Sequence, residues 1–149
     1  MRYWDASALV PVVLAEERSD LVQGWLDEDD IVTTWAWTQV EVVGAIERRA
    51  REGELTREGR QAALTQAANL AAKWTEIFDL TAVRKRALNL LARHPLRAVD
   101  AAQLAAALFV AEDDPASLVF VCLDERLATA AEREGFPVLV GDGDGRAQE

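Results

Sequence analysis

Cysteine and histidine are nearly absent from this 149-residue chain, which contains one of each. The single cysteine, Cys122, cannot form an intramolecular disulfide, so the chain is not a disulfide-stapled extracellular scaffold. Cys122 lies in an apolar run that predicts a buried strand, and His94 precedes Pro95 at a predicted helix end. Neither residue therefore supports a zinc site or a nucleophilic catalytic triad, and we interpret His94 as structural.

Long hydrophobic runs and glycine-rich loops are also missing. No apolar run approaches the roughly 20 residues that span a bilayer, and the first residues lack the pattern of a signal peptide. No glycine-rich phosphate loop precedes a predicted helix, which argues against a nucleoside triphosphatase. We therefore expect a soluble, cytoplasmic protein with no membrane partner.

Half of the residues are hydrophobic, which at this length is enough to bury the core of one domain. We expect a single domain over residues 1–140. Residues 141–149 begin with Gly-Asp-Gly-Asp-Gly and are predicted to form a flexible tail.

The net charge of −10 argues against a nucleic-acid partner until its distribution is considered. From residue 48 to residue 97 there are eleven basic and five acidic residues, a net charge of +6, which leaves −16 for the remainder. Such residues ordinarily form solvated helix faces. The alternative is a phosphate-binding surface beside an acidic metal pocket, for which Arg48, Arg49 and Arg51 are the candidates.

Short apolar runs alternate with helical patterns along the chain. This alternation predicts an α/β fold, a three-layer α/β/α sandwich around a mainly parallel sheet. Ser7 and Thr81 are expected to cap their helices. The predicted strands cover residues 2–4, 31–34, 76–80, 118–123 and 137–140, and the predicted helices cover residues 7–15, 19–28, 38–52, 56–74, 81–92, 98–108 and 125–134.

Asp5 and Asp124 each follow a predicted strand. Ligands bind outside the carboxyl ends of the strands in α/β sheets, so two strands that deliver carboxylates to one edge create an acidic pocket. Each acid also has a structural alternative. Asp5 fits a cap or turn position before the first helix, and Asp124 fits the N-cap of the helix that starts at Glu125.

Glu41 and Asp100 are two further candidates, on predicted helices. Glu41 completes a Thr38-x-x-Glu41 capping box, which taken alone is the better interpretation. Asp100 lies in a predicted buried helix, where an unpaired carboxylate is costly, and its alternative is a salt bridge to Arg97. These alternatives explain the local conformation of each acid but not why four acids occupy positions that can converge.

Four convergent carboxylates suit a hard divalent cation. Mg²⁺ and Mn²⁺ prefer oxygen ligands, and such an ion lowers the pKa of a bound water and neutralises charge on a phosphate. The pattern therefore favours phosphodiester hydrolysis.

Four motifs resemble those of PIN domains, in the right order and at the right spacing over essentially the whole chain. Among PIN domains, the chain is most similar to the VapC toxins of VapBC toxin–antitoxin pairs. The motifs are Asp5-Ala6-Ser7-Ala8-Leu9, Thr38-x-x-Glu41-Val42, Leu96-Arg97-Ala98-Val99-Asp100-Ala101-x-x-Leu104-Ala105 and Cys122-Leu123-Asp124-Glu125-Arg126-Leu127, the last with Gly135 after its helix.

The resemblance implies a Mg²⁺- or Mn²⁺-dependent endoribonuclease with a PIN-like sandwich fold. Its catalytic and metal-binding acids are then Asp5, Glu41, Asp100 and Asp124. Ser7 matches the small hydroxyl residue beside the first acid and is expected to bind a metal-bound water.

The resemblance also implies partners, and this sequence departs from the family pattern at two positions. The partners are an RNA substrate, a VapB-type antitoxin whose C-terminal segment covers the active-site groove, and a second copy in a homodimer. Some members have additional acids where this chain has Gln103 and Arg126. These differences leave one or two metal ions per site as alternatives.

Two other classes of function are compatible with the acids. A PIN-scaffold binding module would act through a protein partner with weak or no catalysis. A receiver-like phosphoacceptor also has an acidic pocket at a sheet edge, but it needs a lysine late in the chain, and the only lysines are Lys73 and Lys85. We rank that class last.

Overall fold

Five short strands form one sheet in the structure, a computed structural model that describes residues 1–141. The predicted tail lies outside the described residues except for Gly141. The strands are β1 (Arg2–Trp4), β2 (Val32–Trp35), β3 (Thr75–Ile77), β4 (Phe120–Val121) and β5 (Val138–Leu139). Their order is β3-β2-β1-β4-β5, and every neighbouring pair is parallel.

Seven α-helices connect these strands within residues 1–141. None of them is long and apolar enough to cross a membrane. The second helix has the bounds that its sequence pattern predicts. The helices are α1 (Ala6–Val13), α2 (Ser19–Glu28), α3 (Thr38–Arg51), α4 (Arg57–Ala71), α5 (Leu80–Arg93), α6 (Ala98–Val110) and α7 (Glu125–Glu134), and a 3₁₀ turn covers Pro115–Ser117.

The helices cover both faces of the sheet. Tyr3 and Phe120 stack with ring centroids 5.4 Å apart and pack against α5, α6 and α7. Trp4 and Val121, their neighbours in the chain, pack against α1 to α4. Because successive strand side chains point to opposite faces, a separate apolar core forms on each side. This arrangement confirms the predicted α/β/α sandwich.

Two of the predicted helix starts are wrong. Asp5, not Ser7, caps α1 and accepts a hydrogen bond from the backbone N–H of Ser7, and α1 ends at Val13. Asp79, not Thr81, caps α5 through a bond from the N–H of Ala82. In both places an aspartate two residues upstream provides the acceptor that the hydroxyl was expected to provide.

The predicted fourth strand is longer than the observed β4. Only two residues of the apolar run from 118 to 123 are in strand conformation. The backbone bonds nevertheless extend beyond them, since the N–H of Tyr3 donates to Val119 and the N–H of Cys122 donates to Leu139. The run is therefore a buried central segment of the sheet, as its composition predicts.

Candidate active site

Asp5 and Asp124 lie at the same edge of the sheet, next to each other across two paired strands. Asp5 follows β1, and its backbone N–H donates to the carbonyl of Val121 at 3.0 Å. Asp124 comes three residues after that same valine. Because β1 and β4 are parallel neighbours, both acids stand at strand carboxyl ends, where the sequence analysis expects a pocket.

Asp5 is buried, and only 4% of its surface is exposed. One carboxylate oxygen accepts the N–H of Ser7 at 3.0 Å, so the acid is also the helix cap considered as its structural alternative. Burial raises the pKa of Asp5 to about 6, the bonds from Ser7 oppose this rise, and the charges of Asp100 and Asp124 add to it. Capping a helix does not require a carboxylate whose ionised form is destabilised by burial in this way.

Glu41 does not form the predicted capping box. Its carboxylate accepts a hydrogen bond from Nε2 of Gln103 at 2.6 Å, and no side chain caps α3. Burial raises the pKa of Glu41 to about 7, the charge of Asp5 adds to the rise, and the bond from Gln103 opposes it. The glutamate therefore faces the other acids instead of its own helix end.

Gln103 holds Glu41 through a buried chain of hydrogen bonds. The hydroxyl of Tyr3 donates to Oε1 of Gln103 at 2.7 Å, and Nε2 of Gln103 donates to Thr38 at 2.9 Å as well as to Glu41. Thr34 donates to the carbonyl of Trp4, so the 2.7 Å contact between the two threonines must run from Thr38 to Thr34. Because the donor and acceptor in each of these bonds are fixed, the Gln103 amide can adopt only one of its two flipped orientations.

Asp100 is 7% exposed and forms the salt bridge that was its structural alternative. Nε of Arg97 lies 3.0 Å from Oδ2 of Asp100, and Nη2 lies 3.5 Å from Oδ1. The same Nη2 lies 4.0 Å from Oδ2 of Asp124. The sequence predicts the first contact but gives no sign of the second.

Asp124 caps α7, as its structural alternative predicts. Its Oδ1 accepts the N–H of Leu127 at 3.0 Å, and Gly135 ends the helix in the left-handed conformation, with φ at 102°. Oδ2 of Asp124 makes no such bond and is the oxygen that lies near Arg97. The cap thus leaves one carboxylate oxygen of Asp124 available to bind a cation. Asp5, Glu41, Asp100 and Asp124 are together called the acidic site.

Ser7 and Cys122 lie beside Asp5. The Ser7 hydroxyl accepts the backbone N–H of Leu123 at 2.9 Å, which ties the start of α1 to the segment that carries Asp124. The Cys122 thiol lies 3.9 Å from a carboxylate oxygen of Asp5 and 3.3 Å from the carbonyl of Asp124. Burial and the charge of Asp5 raise the pKa of this thiol, so it is a neutral, weak donor. The apolar run around Cys122 predicts a buried strand but gives no sign of the contact with Asp5.

The donor set of the acidic site fits a hard divalent cation in its chemistry. Its members are carboxylates, and the pKa of Asp5 and that of Glu41 are raised chiefly by burial and further by other acids of the set. As the side chains stand, residues 1–141 contain no group of three acids, histidines or cysteines able to hold one ion. Binding of a cation by all four acids therefore stays a prediction, and it requires some of these side chains to move.

The basic candidates differ in their surroundings. Arg48 and Arg51 are exposed near the end of α3, whereas Arg49 forms ion pairs with Glu16 and Glu54. Arg49 is thus already neutralised. Phosphate binding by these arginines stays a prediction, with Arg48 and Arg51 as its better candidates.

His94 has the structural surroundings expected from its sequence context. Its ring is buried, and Nε2 lies 3.0 Å from a carboxylate oxygen of Glu134 on α7.

A surface pocket of about 810 Å³ is lined by α4 from Arg57 to Asn69 and touches none of the four acids. Charge, not pocket shape, therefore identifies the candidate site.

The fold is shared with solved structures over nearly the whole chain. The crystal structure of PAE2754 from Pyrobaculum aerophilum has a TM-score of 0.61 and 22% identity, over 94% of this chain and 89% of that one. The crystal structure of FitAcB from Neisseria gonorrhoeae has a TM-score of 0.64 and 18% identity, over 95% and 97%. The fold is PIN-like. At these identities the likeness establishes the fold alone, and no family model or curated protein matches the sequence.

Proposed function

We propose that this protein is a Mg²⁺- or Mn²⁺-dependent endoribonuclease of the VapC type, acting in the cytoplasm as the toxin of a toxin–antitoxin pair. The observation that carries the proposal is the acidic site on a PIN-like fold. Two of its carboxylates have a strongly raised pKa, and among the residues described a single guanidinium, that of Arg97, contacts the set. A divalent cation neutralises this excess of negative charge.

Each acid has a role that follows from its position. Asp5 and Asp124 are fixed by their helix caps and project from the sheet edge, so they form the rigid part of a cation site. The hydrogen bond from Gln103 orients Glu41, which lies on α3. Asp100 lies on α6, in the helical layer on the other face of the sheet from α3. A bound cation supplies a water of lowered pKa and holds a phosphate oxygen.

The exposed arginines of α3 provide the proposed RNA contacts. Arg48 lies seven residues after Glu41, which is about 10 Å along the helix at roughly 1.5 Å per residue. That separation corresponds to one or two nucleotides of backbone. Arg48 and Arg51 are therefore proposed to bind phosphates that flank the scissile bond.

The proposed partners are a VapB-type antitoxin and a second copy of this chain. Four exposed apolar side chains support the homodimer, since between 40% and 72% of each is exposed. They are Phe78, Leu80, Leu88 and Leu91, the last three of which lie on α5. Molar mass in solution, measured by light scattering, tests this part of the proposal.

The activity is tested with purified, partner-free protein and total RNA. Fragments should form with Mg²⁺ or Mn²⁺ and disappear with EDTA. The alternative, a binding module with weak or no catalysis, is favoured by Gln103 and Arg126, which stand where some PIN domains have acids. Absence of metal-dependent fragments from folded protein would support that alternative.

A further inference from the structure

Arg97 bridges two acids that come from different parts of the fold. It contacts both oxygens of Asp100, at 3.0 Å from Nε and 3.5 Å from Nη2. Its Nη2 also lies 4.0 Å from Asp124, which belongs to the segment between β4 and α7. One guanidinium thus occupies the space between the carboxylates of two separate elements.

The Arg97 side chain pairs with the carboxylate of the mostly buried Asp100 and is itself open to solvent. Arg97 is the N-cap residue of α6, but its side chain makes no capping bond. The Arg97 side chain is 69% exposed, whereas that of Asp100 is 11% exposed. Because one partner of this salt bridge is exposed, the pair contributes modestly to folding, and the arginine can leave it for solvent.

The oxygens that Arg97 contacts are the ones that a metal ion would need. A guanidinium and a divalent cation cannot both lie between the carboxylates of Asp100 and Asp124, because their charges repel and they require the same lone pairs. As the side chains stand, with Arg97 against Asp100 and Asp124, residues 1–141 contain no group of three acids, histidines or cysteines able to hold an ion.

We propose that Arg97 is a built-in counter-ion of the acidic site, which joins Asp100 to Asp124 in the metal-free protein and is displaced when a divalent cation binds. This inference rests on the proposed function, since it assumes that the acidic site binds a cation. Removal of the guanidinium should strengthen that binding. An exposed ion pair of this kind corresponds to roughly two- to fivefold in affinity.

The test compares Mn²⁺ binding by the full chain and three variants, measured by isothermal titration calorimetry at low salt. Arg97→Gln removes the guanidinium that contacts the acids. Arg84→Gln is the control, because it removes the same charge from an exposed position on α5, and Arg84 takes part in none of the salt bridges formed within residues 1–141. Asp100→Asn removes a predicted ligand.

The expected result is Mn²⁺ binding about two to five times tighter in Arg97→Gln, little change in Arg84→Gln and strongly weakened binding in Asp100→Asn. Unchanged or weaker binding in Arg97→Gln would overturn the inference about Arg97 while leaving the metal site intact. An equal gain in Arg84→Gln would also overturn it, because total charge would then explain the effect. Absence of binding in every folded protein would overturn the metal site and this inference together.

Thermal unfolding in EDTA provides a second measurement. Arg97→Gln should lower the melting temperature more than Arg84→Gln does, because Asp100 loses its partner. Added Mn²⁺ should then raise the melting temperature of Arg97→Gln by more than it raises that of the parent. A smaller rise than in the parent would contradict displacement.

Discussion

The buried carboxylate of Asp5 should destabilise the metal-free protein at neutral pH, and Asp5→Asn should relieve this cost. The pKa of Asp5 is raised from 3.8 to about 6, chiefly by burial. One pKa unit corresponds to about 1.4 kcal/mol, so the ionised side chain costs about 3 kcal/mol at pH 7.5. Asparagine caps helices about as well as aspartate, so the bond from Ser7 should survive.

The sign of the pH dependence follows from the raised pKa. Because the folded protein binds this proton more tightly than the unfolded chain, the stabilising effect of protonation is complete below pH 4. It is lost as the pH rises through about 6. The advantage of Asp5→Asn over the parent should therefore shrink from about 3 kcal/mol at pH 7.5 to about 1.6 kcal/mol at pH 5.

The assay is urea denaturation in EDTA at both pH values, followed by tryptophan fluorescence. Asp79→Asn is the matched control, since Asp79 also caps a helix but is exposed. Its effect should stay within about 0.5 kcal/mol of zero at both pH values. If Asp5→Asn were no more stable than the parent at pH 7.5, Asp5 would be an ordinary stabilising cap and the reasoning would fail.

Two further predictions concern Gln103 and the arginines of α3. Gln103→Leu should raise the pKa of Glu41 in a carboxyl NMR titration, because the bond from Gln103 lowers it, and should cost about 1 to 3 kcal/mol by leaving the Tyr3 hydroxyl unpaired. Gln61→Leu, on an exposed part of α4, should do neither. Arg48→Ala/Arg51→Ala should reduce the slope of log RNA affinity against log salt by about 1.4, the value for two phosphates of a single strand. An equal reduction in Arg84→Ala/Lys85→Ala, an exposed pair on α5, would mean that Arg48 and Arg51 only form part of a solvated helix face.

The layer architecture was predictable because it depends on periodicity. The alternation of short apolar runs and helical patterns predicts the parallel sheet and the two helical layers, and the bounds of β1 and α2 agree with the prediction. Helix starts were less predictable. Both Ser7 and Thr81 are acceptable caps by residue type, but Asp5 and Asp79 provide the acceptors, and sequence alone does not rank two capping residues only two positions apart.

The contacts that orient the site depend on long-range packing. Glu41 matches a capping box in sequence, yet its carboxylate bonds to Gln103, which is 62 residues away. Arg49 belongs to a basic cluster in sequence, yet it pairs with Glu16, which is 33 residues away. Local patterns carry no information about such partners. The caps formed by Asp5 and Asp124 and the salt bridge between Arg97 and Asp100 are local and could be predicted. The partners of Glu41 and Arg49 could not.

The most direct test of the central claim is metal-dependent RNA cleavage by the parent and by Asp100→Asn. The substitution removes one charge of the acidic site with almost no change in side-chain volume, and circular dichroism and thermal unfolding establish that the variant is folded. We expect RNA cleavage by the parent in Mg²⁺ or Mn²⁺ and loss of that cleavage in folded Asp100→Asn. Normal cleavage by the variant would mean that Asp100 is only a structural partner of Arg97 and that the acidic site is not the catalytic centre.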